Sequence, residues 1–323
     1  MTPLLEVKNL QTYFFTRRGV TKAVDGVSFS LDKGETLGLV GESGCGKTIT
    51  GMSIMRLVPQ PAGRIMGGQV LFKGDDLLKK SGKEMQHIRG DHISVIFQDP
   101  MTSLNPVFTI GDQVGEPIHI HHKLDRRALL ERVKEMLSVV RIPNPETRIL
   151  GYPHQFSGGM RQRIVGAIAL IGEPDLVIAD EPTTSLDVTI QAQYLRLLKE
   201  LQARHGLAIL FITHDFGIVA KVCDRVAVMY AGRLVEVAEV RELFNHPAHP
   251  YTMALLRSVP KLEEQVERLQ QIDGQPPILR ALPPGCYFVP RCSYAMDQCQ
   301  AEYPPDVEIS KEHRAACWRL VKS

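Results

Sequence analysis

The sequence predicts an α/β fold built around a phosphate-binding loop, with an antiparallel β-rich start, a helical insert and a small cysteine-rich C-terminal module. Three observations carry that prediction. Short apolar runs alternate with helical patterns, as strands and crossover helices do in a parallel sheet. One run, Thr36–Val40, passes directly into the glycine-rich stretch GESGCGKT, Gly41 to Thr48. Beyond about residue 240 the composition turns toward Pro, His and Cys, which marks a boundary between a 1–240 domain and a 241–323 module.

Taken in order, residues 4–14 and 27–31 are rich in β-branched and aromatic side chains and bounded by turn formers, which predicts antiparallel strands. The runs at residues 92–97, 176–179 and 208–213 each end in polar residues. In open α/β sheets ligands bind beyond the carboxyl ends of the strands, so the chemistry is sought just after these runs. Residues of about 100–170 turn helical; the stretch 126–140 carries an apolar stripe of Leu129, Leu130, Val133, Met136 and Leu137.

Bulk properties exclude several functions. At 323 residues and 44% hydrophobic composition the chain can bury a large core. A net charge of +2, from 38 basic and 36 acidic residues, lacks the basic bias of a nucleic-acid binder. The most apolar stretch, residues 164–179, is broken by Glu173, Pro174 and Asp175, short of the roughly 20 apolar residues that a membrane helix needs. The first residues have no basic start followed by an apolar core, so a cytoplasmic protein is expected.

In the loop, Gly41, Gly44 and Gly46 let successive backbone N–H groups turn toward phosphate oxygens, with Glu42, Ser43 and Cys45 between them. Lys47 supplies a cation for the terminal phosphates and the Thr48 hydroxyl a ligand for Mg2+. The second motif, LVIADEP, ends a strand in two adjacent carboxylates. Asp180 can hold Mg2+ and Glu181 can orient or deprotonate an attacking water. The third, FSGGMRQR, sets Ser157, Gly158 and Gly159 before a helical stripe; an ordinary helix N-cap accounts for the same residues.

Taken together, these motifs resemble those of the ABC transporter ATP-binding family. FSGGMRQR is similar to the ABC signature, whose serine and glycines reach the γ phosphate of a second subunit's ATP. The resemblance therefore implies a head-to-tail dimer of two cassettes, formed with a copy of this chain or a related ATPase. Gln98, after the 92–97 run, matches the Q-loop glutamine that reaches Mg2+ and the water. Ser185, Leu186 and Asp187 match the D-loop, and His214 the switch histidine at the γ phosphate. Phe14 matches the aromatic that stacks on adenine, with Tyr13 and Phe15 as rivals.

Longer runs, QDPMTSLNP, YPHQFSGGMRQR, IADEPTTSLDVTIQAQ and HPAHPYTMALL, extend the resemblance to oligopeptide and dipeptide importer ATPases over the whole chain. That likeness implies two membrane permease subunits, an extracytoplasmic solute-binding protein acting indirectly, and a peripheral place on the cytoplasmic face of the inner membrane. Nickel or another small solute, or a soluble non-transport ABC ATPase, are the alternatives. Four cysteines, Cys286, Cys292, Cys299 and Cys317, cluster near Pro and Gly. A four-thiolate site suits zinc or an iron–sulfur cluster, and their spacing does not match paired zinc knuckles. The peptide-transporter resemblance favours a 4Fe-4S cluster, with zinc or no metal as the alternatives.

Overall fold

Alternation of buried and open side chains lays Leu5–Thr16 against Gly19–Leu31 as a long antiparallel hairpin, Leu5 opposite Leu31 and Thr16 opposite Gly19. The computed structural model describes residues 2–184, 186–258 and 272–321. Two units emerge: the first is Met1–Leu31, Thr36–Leu78 and Ile212–Ser323, the second Asp32–Glu35 and Lys79–Phe211.

In the first unit the hairpin is extended by Gly63–Phe72, antiparallel to Leu5–Thr16, and by the short Asp75–Asp76. This is the antiparallel start that the sequence predicts, with longer strands. The second strand runs back to Gly19 because its pairing partner, rather than its own apolar content, holds it extended. A second sheet in this unit has Thr36–Val40 parallel to Arg225–Tyr230, then Arg233–Glu239, His313–Ala316 and Asp306–Ser310 in antiparallel succession. Thr36–Val40 is buried at every position, so its unbroken apolar run was legible.

One buried carboxylate organises the approach to residue 250. Glu236, 1% exposed, accepts the N–H of Ala248 at 2.7 Å and of His249 at 2.9 Å, and pairs with His313 Nε2 at 2.8 Å. His249 caps the helix Pro250–Arg257: its Nδ1 accepts the Tyr251 N–H at 3.0 Å, and Pro250 occupies the first turn, where no N–H is needed. Burial pushes the His249 imidazole down to about 4, which keeps it neutral and able to accept. The HPAHPY motif is thus a capping device. Behind it the rings of Tyr230, Tyr251 and Phe288 meet at centroid distances of 4.5, 5.2 and 5.3 Å.

The second unit pairs Ile93–Ile96 parallel to Leu176–Asp180 and carries the helices Ile110–His121, Arg126–Val139, Gly158–Leu170 and Val188–His205. The stripe on Arg126–Val139 is buried at Val133, Met136 and Leu137, whereas Leu130 is 38% exposed. Gly115 lets that helix approach Ile110–His121, since a Cβ there would lie 3.3 Å from Val133. No helix among the described residues is long and apolar enough to cross a membrane.

The hydrogen bond to Glu236 raises His313 above the usual histidine value, against the opposing effect of burial. A raised folded value stabilises fully below the unfolded value of about 6.5, and that contribution is lost as pH climbs through the folded value. The melting temperature of the native chain should therefore fall toward that of His313→Gln as pH rises above neutrality; parallel profiles for the two would contradict this.

Candidate functional site

The phosphate loop is shaped by what surrounds its glycines. A Cβ on Gly41 would sit 2.1 Å from the Met229 carbonyl oxygen, and one on Gly46 would sit 2.1 Å from that of Ala23. Gly46 also has φ +111°, a conformation that L side chains rarely adopt. It caps the helix Lys47–Ile54 with no side-chain hydrogen bond, so the helix start is presented by backbone alone. Lys47, 5% exposed, donates through Nζ to the carbonyls of Gly41 at 2.8 Å and Glu42 at 3.1 Å. Ser43 and Gly44 are exposed and Thr48 is half-buried. Cys45 is buried, and burial pushes its thiol up.

The aromatic run near the loop divides by face. Tyr13 donates its hydroxyl to Asp25 at 2.6 Å, and burial together with Asp25 pushes the phenol up to about 12. Asp25 also accepts from Arg233 Nε and Nη2, at 3.1 and 2.9 Å, and from Tyr287 at 3.1 Å. Burial alone would raise the Asp25 carboxyl, but the donors from Tyr13 and Arg233 hold it below its ordinary value. Phe14 is half-buried and packs so that a Cβ on Gly63 would come within 2.9 Å of its ring. Phe15 is 38% exposed, with the Arg64 guanidinium 5.4 Å from its centroid. His214 is exposed, following the strand Ala208–Thr213.

The second unit brings other predicted residues together. Gln98 Nε2 donates to Glu181 Oε2 at 2.9 Å, and Thr184 Oγ1 donates to the same oxygen at 3.1 Å. Sequence reasoning missed Thr184; a hydroxyl three residues after Glu181 in DEPTT was the available signal. Glu181 has φ +45°, a left-handed conformation that is costly for a residue with a Cβ and recurs at functional sites. Asp180, 7% exposed, ends the strand Leu176–Asp180. Ser157 caps Gly158–Leu170, accepting the Met160 N–H at 3.4 Å, while Ser157 and Gly158 face solvent. Gly159 packs on Ile190, 2.7 Å from the place of its missing Cβ. Asp187 caps Val188–His205 through the Ile190 N–H at 2.9 Å. Ser185 lies outside the described residues.

The four predicted cysteines lie near one another. Cys286, Cys292, Cys299 and Cys317 are free thiols that gather closely enough for Cys292, Cys299 and Cys317 each to raise the Cys286 thiol, burial being the larger cause that pushes it up to about 11. Yet among the described residues no group of three or more His, Cys, Asp or Glu is placed to hold a metal ion.

Residues 24–184 match the ABC transporter family model, and residues 235–299 match the model of the oligopeptide/dipeptide transporter C-terminal region. The dipeptide transport ATP-binding protein DppD of Bacillus subtilis is 53% identical over 318 residues, covering 98% of this chain and 95% of that protein. The chain belongs to the ABC transporter family, as an ATP-binding subunit of the oligopeptide/dipeptide type. The oligopeptide transport ATP-binding protein OppD of the same organism is 52% identical over 321 residues, covering 99% of this chain and 90% of that one. Among solved structures, a dimeric bacterial ABC transporter cassette aligns with a TM-score of 0.66 at 25% identity, covering 73% of this chain and 99% of that one. The cbiO1 protein of Clostridium perfringens, described as part of an ABC transporter complex, aligns with a TM-score of 0.65 at 27% identity, covering 76% of this chain and 92% of that one. The ABC subunit is accordingly an ATPase whose hydrolysis is coupled to transport.

The glycine contacts predict that Gly46→Ala displaces the loop from the Ala23 carbonyl. Binding of ATP to the purified subunit should fall by about 100-fold or more, as when loop geometry is lost around a charged ligand. Unchanged affinity in equilibrium dialysis would show that the loop does not carry the nucleotide.

Proposed function

We propose that this ABC subunit powers the import of di- or oligopeptides through two membrane permease subunits that receive solute from an extracytoplasmic binding protein. The observation that carries the reading is the joint presence of the cassette at 24–184 and the oligopeptide/dipeptide region at 235–299, with full-length relatives named for dipeptide and oligopeptide transport. On this reading the subunit lies peripherally, at the cytoplasmic face of the inner membrane, beside the permease subunits it would drive.

Within that proposal the loop residues Gly41 to Thr48 cradle the phosphates of ATP, and Lys47 neutralises the charge that develops on the transferred group. Phe14, the sequence's first choice within the aromatic run, supports adenine. The donors proposed for Mg2+ are the Thr48 hydroxyl, the Asp180 carboxylate and the Gln98 amide, an all-oxygen set that suits a hard cation. When bound, Mg2+ supplies charge neutralisation at the β and γ phosphates. Glu181 orients and deprotonates the attacking water, its carboxylate steadied by Gln98 and Thr184. His214 contacts the γ phosphate. Ser157, Gly158 and Gly159 present a helix start, exposed at Ser157 and Gly158, to the ATP of a second cassette, and Asp187 joins them in that role. The solved dimeric cassette supports the pairing of two cassettes.

Substitution Glu181→Gln keeps the hydrogen-bonding shape but removes the base. MgATP should still bind, hydrolysis should fall by about 100-fold or more, and peptide uptake by cells carrying the variant should cease. Intact hydrolysis would remove Glu181 from the proposed role. Loss of nickel uptake with peptide uptake unchanged would move the solute to the metal alternative.

For the four C-terminal thiols we propose a separate, narrower reading, supported by their gathering: they are the seat of a 4Fe-4S cluster, or of zinc, once drawn together. Anaerobically purified protein should then contain iron and acid-labile sulfide, or stoichiometric zinc, lost in a Cys292→Ser, Cys299→Ser variant. Metal-free protein with full ATPase activity would end this reading.

A further inference from the structure

Glu42, the second residue of the phosphate loop, is gripped from outside the loop. Its carboxylate takes both terminal nitrogens of Arg291, Nη1 at 2.7 Å from Oε2 and Nη2 at 2.9 Å from Oε1. Its N–H donates to Tyr251 Oη at 3.0 Å, and its carbonyl accepts from Lys47 Nζ at 3.1 Å. A single loop residue therefore joins the loop lysine to two side chains of the region 235–299.

Both grips are built features. The Arg291 side chain is 2% exposed, and its remaining hydrogen bonds run to the carbonyls of Asp273 at 3.0 Å and Ile272 at 3.4 Å and to Tyr230 Oη at 3.4 Å. Its guanidinium lies 5.9 Å from the ring centroids of both Tyr230 and Phe288. The fork of a guanidinium matches a carboxylate at two points, which an ammonium cannot do. Tyr251 is fully buried against the same two rings, and its helix is set by the His249 cap. Neither partner can shift without repacking this aromatic cluster.

The electrostatics give the grip a purpose. A carboxylate in a loop that receives a polyphosphate repels its ligand unless it is neutralised. Arg291 cancels that charge and holds it aside, while Tyr251 anchors the backbone from which the loop curves. We propose that Arg291, with Tyr251, is a positioning residue for ATP: the C-terminal region sets the affinity of the phosphate loop for the nucleotide by neutralising Glu42 and fixing its backbone. The proposal rests on the reading of Gly41 to Thr48 as the nucleotide's phosphate site.

The test is equilibrium binding of MgATP, MgADP and AMP to the full-length chain, with thermal melting of each variant in the absence of nucleotide. Arg291→Met leaves Glu42 uncompensated and should weaken MgATP about tenfold, as a like charge at several ångströms does at intermediate dielectric, MgADP less and AMP least. The double variant Glu42→Gln, Arg291→Met, with neither charge, should recover MgATP binding to within about threefold of the native chain. Arg291→Lys, keeping the charge without the fork, should fall between. A purely structural arginine would lower the melting temperature and weaken all three nucleotides alike, with no recovery in the double variant; that pattern, or native MgATP affinity in Arg291→Met, overturns the proposal. Should Arg291→Met fail to fold, Arg291→Lys and the double variant still carry the comparison. Lys47→Ala separates the two levels: it should abolish MgATP binding, and if it does not, the phosphate-site reading falls with the inference built on it.

Discussion

The close passage of the glycine-rich loop against the carbonyl oxygens of Ala23 and Met229 is the constraint on which the proposed nucleotide site depends. Those carbonyls belong to the strands Gly19–Leu31 and Arg225–Tyr230, one in each sheet of the first unit. At 2.1 Å from where a Cβ would stand, they admit only glycine at Gly41 and Gly46. The loop thereby takes its shape from two sheets and does not need a stiff sequence of its own. Lys47 is held ready by the loop's own carbonyls, and the helix that follows begins on bare backbone.

Around that loop the first unit uses paired ionic groups, buried at Asp25 and Glu236 and partly buried at Glu42, as fasteners. Asp25 collects Tyr13, Arg233 and Tyr287; Glu236 collects two backbone N–H groups and His313; Glu42 collects Arg291 and Tyr251. Each charge is satisfied several times over, the condition under which a buried ion is tolerated and its loss is costly. Each also joins a residue of the cassette to one beyond residue 235, or two stretches that flank the HPAHPY motif. The C-terminal region is therefore wired into the cassette through charge as well as through the strand pairing of Arg233–Glu239 with His313–Ala316. Replacing any of these clusters by apolar contact would keep the packing but lose the register that the paired charges impose.

Much of this was legible locally. Strands Thr36–Val40 and Ala208–Thr213 could be read because each is buried along its whole length, which leaves a continuous apolar run. The adjacency of Gln98 to Glu181 was not visible, since the two are 83 residues apart; only their separate motif positions were. Leu130 was placed in an apolar stripe that is buried at Val133, Met136 and Leu137, but it faces solvent, because periodicity marks a face without saying how much of it is covered. The cysteines show the same limit from another side. Their number and spacing could be counted, but whether four sulfurs meet at one point depends on backbone far from each of them.

The sequence by itself determined the chemistry available: a glycine-rich loop with a lysine, a strand ending in two carboxylates, a capped helix start, and four thiols. These follow from residue type and near-neighbour geometry, which act over a few bonds. The tertiary structure alone decided which groups meet. It set Arg291 on Glu42 across 249 residues, the carbonyls of Ala23 and Met229 against two glycines, and His313 on Glu236. The reason is physical: a buried charge or a close backbone contact is fixed by the packing of whole sheets, and no window of sequence contains both partners.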